Sequence, residues 1–340
     1  MRIDHLTNGG AASSVATAPL IDNHGRSITY LRLAITDRCN LRCRYCMPEQ
    51  GVAPIAHDQT LSYEELERLV AIFLSMGITK VRVTGGEPFV RRGCIDFLGR
   101  LKGQSGVKRL HVTTNGVETA AHLSRLQQMG IDGINLSLDT LDRQRFLAIT
   151  RRDRLGQVLA TLHGALAHGI KLKINSVVDE DTSDAEIVAL ADLARSNTLC
   201  LRFIEKMPFS GSFSRPAEQA LVDRLRRLFP GLAESRQSEI STARQFGLPG
   251  FLGSIGIIEG HSRRFCSTCN KLRVTPSGML KTCLYDDGVL DLRELLRSGT
   301  SDATIAAAIR RCVGRRFTDG HETEKSQGLH NEPSMATIGG

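Results

Sequence analysis

Between residues 30 and 36 (YLRLAIT), Leu31, Leu33 and Ile35 alternate with Tyr30, Arg32 and Ala34, the two-residue period of a strand with one face buried. Runs of the same kind recur at 80–84, 109–114, 133–139, 171–178 and 199–205. Helical patterns lie between them. Residues 62–76 open with Ser62 and Glu65 at capping-box spacing and place Leu66, Leu69, Val70 and Phe73 on one face. Ser183 and Glu186 repeat the device at the head of 183–195, and further helices are predicted at about 94–102, 119–129, 142–149 and 154–168. Six strand–helix units in series predict an α/β chain with a parallel sheet and crossover helices.

Six units fall short of the eight that close a barrel, which leaves a partial, open (β/α)6 TIM-like barrel or a flat doubly wound sheet. Either architecture gathers functional residues at the carboxyl ends of its strands. Thr84-Gly85-Gly86-Glu87-Pro88, Thr113-Thr114-Asn115-Gly116 and Ser137 stand there. After Met207 the pattern changes to a loop, an amphipathic helix over 217–229, and irregular Ser- and Gly-rich chain over 231–256. A cysteine-bearing segment follows, then a helix near 291–297 and a loosely structured final twenty residues. The expected layout is a disordered leader over 1–25, a barrel over 26–210, a C-terminal region over 211–325 and a tail over 326–340 that ends in Gly339-Gly340.

Composition narrows the function. With 41% hydrophobic and 24% charged residues the chain suits a globular fold, and no apolar run is long enough to span a bilayer. The opening stretch has neither a basic n-region nor an apolar h-region, so it does not read as a signal peptide. We expect a cytoplasmic protein without a membrane partner. The net charge of +8 is spread along strands and helices rather than massed in a tail. Aromatics are 5% with no Trp, which disfavours base-stacking platforms and hence nucleic acid. A phosphorylated small molecule fits the charge better; a solvated basic surface is the bland alternative.

Six of the nine cysteines form two triplets. Cys39, Cys43 and Cys46, spaced C-x3-C-x2-C, follow directly on the first strand. Three thiolates so close can take three irons of a cubane and leave the fourth iron open to a small molecule. Zinc is the alternative, but it takes four ligands, and His57 is the only local candidate for the fourth. Cys266, Cys269 and Cys283, spaced C-x2-C-x13-C, make a second trio, for which a zinc ribbon is the alternative. Cys94, Cys200 and Cys312 are isolated and read as small buried hydrophobes.

C-x3-C-x2-C behind the first strand of a β/α chain resembles the radical S-adenosylmethionine superfamily. The resemblance implies that Cys39, Cys43 and Cys46 hold a [4Fe–4S] cluster whose open iron chelates S-adenosylmethionine (SAM). One electron then cleaves the cofactor to a 5′-deoxyadenosyl radical. It also implies cofactor contacts from Tyr45, from Gly86 in the GGE motif, from Ser137 and from Met207. Two three-cysteine sites in one basic chain resemble, more narrowly, the GTP 3′,8-cyclase family, from about residue 30 to the end. That family implies a second [4Fe–4S] cluster on Cys266, Cys269 and Cys283, with the purine of GTP at its open iron.

The implied activity is a lyase reaction of molybdenum cofactor biosynthesis, in which hydrogen is taken from ribose C3′ and C3′ bonds to guanine C8. Arg32 and Arg273 are the implied catalytic residues, and Arg32, Arg82, Thr113, Lys173, Lys271, Leu272 and Arg273 the implied GTP contacts. With no P-loop, side-chain charge would hold the triphosphate. Gly339-Gly340 matches a tail that enters the chamber. A cyclic pyranopterin monophosphate synthase is the implied downstream partner, and the chain would act as a monomer or homodimer. One position departs from the family pattern: Lys271 stands where an Arg is usual, and an ammonium cannot fork onto phosphate oxygens. The rival reading is another two-cluster radical enzyme acting on a peptide or other substrate.

Overall fold

A computed structural model describes residues 19–207, 220–235, 240–327 and 335–338. The six predicted strands form as β1 (Tyr30–Ala34), β2 (Lys80–Thr84), β3 (Arg109–Thr114), β4 (Gly133–Ser137), β5 (Leu172–Val178) and β6 (Cys200–Glu205), side by side and parallel. Helices α1 (Tyr63–Ser75), α2 (Cys94–Gly103), α3 (Leu123–Gln128), α4 (Arg143–Thr150), α5 (Leu155–Ala167) and α6 (Asp184–Ser196) connect them. Both predicted capping boxes close. Glu65 N donates to Ser62 Oγ at 3.2 Å and Ser62 N to Glu65 Oε2 at 2.7 Å, with the equivalent pair at Ser183 and Glu186. A cap of this kind is worth about 1 kcal/mol.

The chain then runs through α7 (Ala220–Leu228), β7 (Ala233–Glu234), β8 (Arg244–Gly247) and β9 (Ser254–Ile258). It continues through β10 (Lys271–Val274), β11 (Met279–Lys281), β12 (Leu290–Asp291), α8 (Leu292–Arg297), α9 (Asp302–Val313), α10 (Gly320–Gln327) and α11 (Met335–Ile338). β9 adds in parallel to β6, and β10 adds in parallel to β1 at the other edge. Antiparallel β8–β7 and β11–β12 extend the two flanks. The order is β12-β11-β10-β1-β2-β3-β4-β5-β6-β9-β8-β7, and the terminal strands β12 and β7 do not pair, so the sheet stays open.

The two faces of this sheet differ, and that separates the two architectures left open above. Leu31 and Leu33 of β1 have no exposed surface and share a core with Leu66, Leu69, Val70 and Phe73 of α1. Tyr30 and Arg32 face a chamber on the other side. A doubly wound sheet buries both faces under helices. The fold is therefore the open, partial (β/α)6 TIM-like barrel, widened by one parallel strand at each edge.

Three expectations change. Residues 231–256, expected to be irregular, supply β7, β8 and the start of β9. Gly256 of β9 breaks the apolar pattern because it lies opposite Arg202 in register, and a Cβ there would stand 2.7 Å from Arg202 Cγ. From Pro19 onward the segment expected to be a disordered leader is packed: Leu20 is buried, its N–H donates to Met76 O, and Ile21 bridges to Ser27. The final stretch, expected to be loose, contains α10 and α11, with Ile338 buried. Gly339 and Gly340 lie outside the described residues. The expected barrel and C-terminal region share one continuous sheet. Among the described residues no helix is long and apolar enough to cross a membrane.

Candidate active site

The inward sheet face and the loops at its carboxyl edge enclose a chamber of about 730 Å³. Both cysteine triplets line it: Cys39, Cys43 and Cys46 from one wall, Cys266, Cys269 and Cys283 from another. Arg32, Arg82, Thr113, Lys173, Lys271, Arg273, Tyr45, Gly86, Ser137 and Met207 line it as well. Leu272 does not. Side chains alternate across a strand, so between inward-facing Lys271 and Arg273 the Leu272 side chain turns to the core, where it is fully buried. Any ligand contact there is left to its main chain.

The first trio is held by its own loop and by the GGE turn. Cys46 N and Met47 N both donate to Cys43 O, and Arg42 Nη1 reaches Cys39 O at 2.6 Å. Gly86 N donates to Thr36 O at 2.7 Å and Glu87 N to Arg38 O at 2.8 Å, so the turn lies flat on the chain that enters the cysteine loop. A Cβ on Gly86 would stand 2.4 Å from Arg38 O, and one on Gly85 2.5 Å from Thr36 O. The glycines thus answer to protein backbone, whereas sequence reasoning assigns them to a ligand. Gly86→Ala should push the 36–38 segment off the turn and loosen the loop that carries Cys39, Cys43 and Cys46. It should lower Tm by several degrees with the secondary structure kept, checked by thermal unfolding and circular dichroism.

Two buried carboxylates brace the same wall. Glu87 accepts from Thr114 Oγ1 (2.8 Å), Asn115 N (2.6 Å) and Phe89 N (3.2 Å), and burial raises it to about 7 despite these donors. It ties the GGE turn to the Thr-Thr-Asn-Gly end of β3. Asp139 accepts from Tyr45 OH at 2.8 Å and Val177 N at 2.8 Å, and burial pushes it up to about 6.

The second trio sits where β10 and β11 meet the sheet edge. Cys269 N donates to Cys266 O at 3.1 Å, and Asp286, itself buried, accepts from Thr282 N (2.7 Å) and Cys283 N (2.7 Å). Burial raises the thiols of Cys39, Cys43 and Cys283 above their ordinary range and Cys266 to about 11. Cys269 is the exception. Burial acts the same way on it, but Lys271 and Arg316 outweigh that and hold it low. Among the described residues no three Cys, His, Asp or Glu side chains have the close spacing of a single-ion site. Six sulfurs in two sets of three suit the soft ligation of iron–sulfur clusters.

The rest of the chamber is built for an anion. Register aligns Arg273, Arg32 and Arg82 across three strands, with Lys271, Tyr30 and Lys80 in the next tier. Thr113, Asn135, Lys173 and Cys200 form another tier, and Asn175 pairs with Arg202. Lys80 and Arg202, with Tyr30, Asn135, Asn175 and Cys200, extend the predicted set. The inward parity that marks Arg82 and Lys173 would have found both cations. Among the lining residues described, Glu205 is the sole carboxylate. Burial would raise the Tyr30 phenol, but Arg82, Arg32, Lys80 and Lys271 override it and bring it down to about 8. Burial, with Arg273 alongside, pulls Arg32 down to about 9, still protonated at neutral pH.

Asn135, with its amide oxygen turned toward them, accepts from Arg82 Nη1 and Arg202 Nη2. Arg82 Nε, Arg202 Nε, Arg273 Nη1, Thr113 Oγ1, Asn175 Oδ1 and Tyr30 OH are buried without a partner among the described residues. Groups of this kind are rare unless something polar occupies the space between them.

Comparison with known proteins agrees with this geometry. Residues 33–194 match the Radical SAM superfamily and residues 199–322 match Molybdenum Cofactor Synthesis C. The chain is 39% identical to the GTP 3′,8-cyclase of Moorella thermoacetica over 94% of its own length and 99% of that protein. The chain belongs to the GTP 3′,8-cyclase family. It is also 40% identical to molybdenum cofactor biosynthesis protein 1 of Mus musculus, over 93% of this chain but only 50% of that protein. It thus spans about half the length of the mammalian relatives it matches. Streptococcus suis SuiB bound to S-adenosylmethionine shares the fold, with a TM-score of 0.58 at 15% identity over 86% of this chain and 68% of that one. With membership in the GTP 3′,8-cyclase family come its cofactors, S-adenosylmethionine and [4Fe–4S] clusters.

Proposed function

We propose that this chain converts GTP to (8S)-3′,8-cyclo-7,8-dihydroguanosine 5′-triphosphate in molybdenum cofactor biosynthesis. The observation that carries this reading is one chamber lined at once by two thiol trios and by seven strand-borne cations, Arg32, Lys80, Arg82, Lys173, Arg202, Lys271 and Arg273. Cys39, Cys43 and Cys46 would hold the cluster that receives SAM, and Cys266, Cys269 and Cys283 the one that meets the purine. When bound, the first cluster and SAM would supply the radical chemistry that takes a hydrogen atom from ribose C3′, and the C3′–C8 adduct would need one further electron and a proton to become the dihydro product.

The protein's own residues do the rest. The inward cations hold the triphosphate by charge-assisted hydrogen bonds, the role a P-loop plays elsewhere. Thr113 Oγ1 and Asn175 Oδ1 offer their buried, unpartnered atoms to the nucleotide. Tyr45 is fixed by Asp139, and Met207 by Tyr285, whose hydroxyl lies 3.5 Å from its sulfur, so both would be held in place to contact the adenosyl group. Arg32 and Arg273, adjacent in register, with Arg273 beside Cys269 and Cys283, would orient the ribose and base. A synthase that makes cyclic pyranopterin monophosphate would consume the product. Nine cysteines without a disulfide support a reducing, cytoplasmic setting.

GTP labelled with deuterium at C3′ tests the assignment. Deuterium should appear in 5′-deoxyadenosine, together with the cyclised nucleotide; cofactor turnover that requires a peptide and ignores GTP would overturn it.

The chamber's electrostatics add a pH prediction. Burial, reinforced by neighbouring cations and opposed by Tyr30, brings Lys80 down to about 8, where Tyr30 also titrates. As pH rises from 7 to 9, Lys80 loses a positive charge and Tyr30 gains a negative one. Both changes make the chamber less positive, so GTP affinity should fall through pH 8, severalfold by calorimetry. Lys80→Met with Tyr30→Phe should flatten the profile, and a Kd independent of pH over this range would contradict the argument.

A further inference from the structure

The turn that leads into β1 reaches across the molecule to the second cysteine trio. Asp22, whose side chain has no exposed surface, accepts from His24 N (3.0 Å), Arg26 N (2.9 Å), Arg26 Nε (2.7 Å) and Arg316 Nη1 (3.1 Å). One carboxylate therefore orients two buried guanidiniums. Arg26 Nη1 donates to Cys266 O at 2.9 Å and to Thr318 O at 2.7 Å. Arg316 Nη1 donates to Cys269 O at 3.3 Å, and its Nη2 donates to Cys269 Sγ at 3.5 Å. Asn23 Nδ2 and His24 Nε2 pin the Arg316 carbonyl at 3.0 and 2.8 Å. Each cysteine of the C-x2-C pair thus has its own arginine on its carbonyl, and one of the two sulfurs also receives a charged N–H.

Within this clasp two guanidiniums meet one carboxylate, a positive excess that is costly in the interior unless an anion lies beside it. A cluster carried on three thiolates is such an anion. The first trio also has an arginine on one carbonyl, Arg42 on Cys39 O. Among the described residues, however, the donors to Cys39 Sγ are neutral, Leu41 N at 3.5 Å and Asn115 Nδ2 at 3.6 Å, so the difference lies at the sulfur. Hydrogen bonds and positive charge at a cluster's sulfurs stabilise its reduced, more negative state and so raise its potential.

From this contrast we propose that Arg316, oriented by Asp22, is a positioning residue for the second cluster whose N–H bond to the Cys269 sulfur sets that cluster's reduction potential above the first's. The N-terminal turn, through Asp22, is then a built part of the second site. The inference rests on the reading that Cys266, Cys269 and Cys283 hold a cluster.

Potentiometric titration of the anaerobic holoenzyme, followed by electron paramagnetic resonance, tests it with the first cluster as internal reference. Arg316→Met should lower the second potential by at least a tenfold change in the reduction equilibrium, about 59 mV for one electron, and leave the first unmoved. Arg316→Lys keeps a charge beside Asp22 without the planar fork, and should give a smaller shift in the same direction. It decides the matter if the Met variant does not retain its second cluster. Asp22→Asn makes this interior more positive but releases Arg316. A fall in the second potential, against the change of charge, is the result expected if orientation of the Arg316 N–H governs; a rise would overturn the orienting role given to Asp22. An unchanged second potential, or equal shifts in both clusters, would overturn the role given to Arg316. Wild-type protein with iron and sulfide for a single cluster would instead overturn the reading of the trio, a result visible before any variant is made.

Discussion

Cys43→Ser should abolish formation of 5′-deoxyadenosine, by at least a thousandfold, while Cys269→Ser should leave part of it and uncouple it from GTP. Cys43 is half-buried and stands between Cys39 and Cys46 on the loop that leaves β1. Serine there removes a soft ligand, and an alkoxide does not replace a thiolate on iron. Cys269 stands on the other wall, next to Lys271 and Arg273 of β10. Losing it disturbs the place where the purine is proposed to bind, without touching the loop that would hold SAM. Chromatography of 5′-deoxyadenosine, with GTP binding by equilibrium dialysis on the same samples, reads both effects. Identical behaviour of the two variants would remove the division of labour between the trios.

Arg202→Met should weaken GTP binding roughly ten- to hundredfold, the range expected for one buried charged hydrogen bond, and leave SAM affinity unchanged. The same change should make the ligand-free protein no less stable. Arg202 faces Arg82 across Asn135, and among the described lining residues Glu205 is the sole carboxylate to offset the charge. Burial, with Arg82 adding to it, already pulls Arg202 down to about 10. Like charges held together for an absent anion are a cost that the ligand repays, so removing one trades binding for stability. Lys80→Met should act in the same direction. The double variant should lose less than the sum, because both belong to one connected cluster. Calorimetry for affinity and thermal unfolding for stability check the two halves; a strongly lowered Tm with intact GTP affinity would contradict the argument.

Much of this site is legible in the sequence because it is carried by short-range patterns. Strand parity places Arg32, Arg82 and Lys173 on one face, and cysteine spacing within each trio is local. The same parity applied throughout would have added Lys80 and Arg202 and turned Leu272 away from the chamber. Other features depend on which strands become neighbours. β10 joins β1 from about 240 positions further along the chain, and this is what brings the second trio into the same chamber as the first. β9 escapes periodicity because Gly256 yields its side-chain space to Arg202. Gly86 is legible as a required glycine, but the atom that requires it, Arg38 O, is known only from the packed turn. The clasp between Asp22 and Arg316 joins residues 294 apart, with no motif at either end.

Spectroscopy of the reduced holoenzyme tests the central claim most directly, that two three-thiolate sites share one chamber and divide the two ligands between them. The account predicts two distinct [4Fe–4S] signals, one altered by SAM alone and the other by GTP alone, with Cys43→Ser removing the first and Cys269→Ser the second. One signal responding to both ligands, or zinc in place of the second cluster, would contradict it.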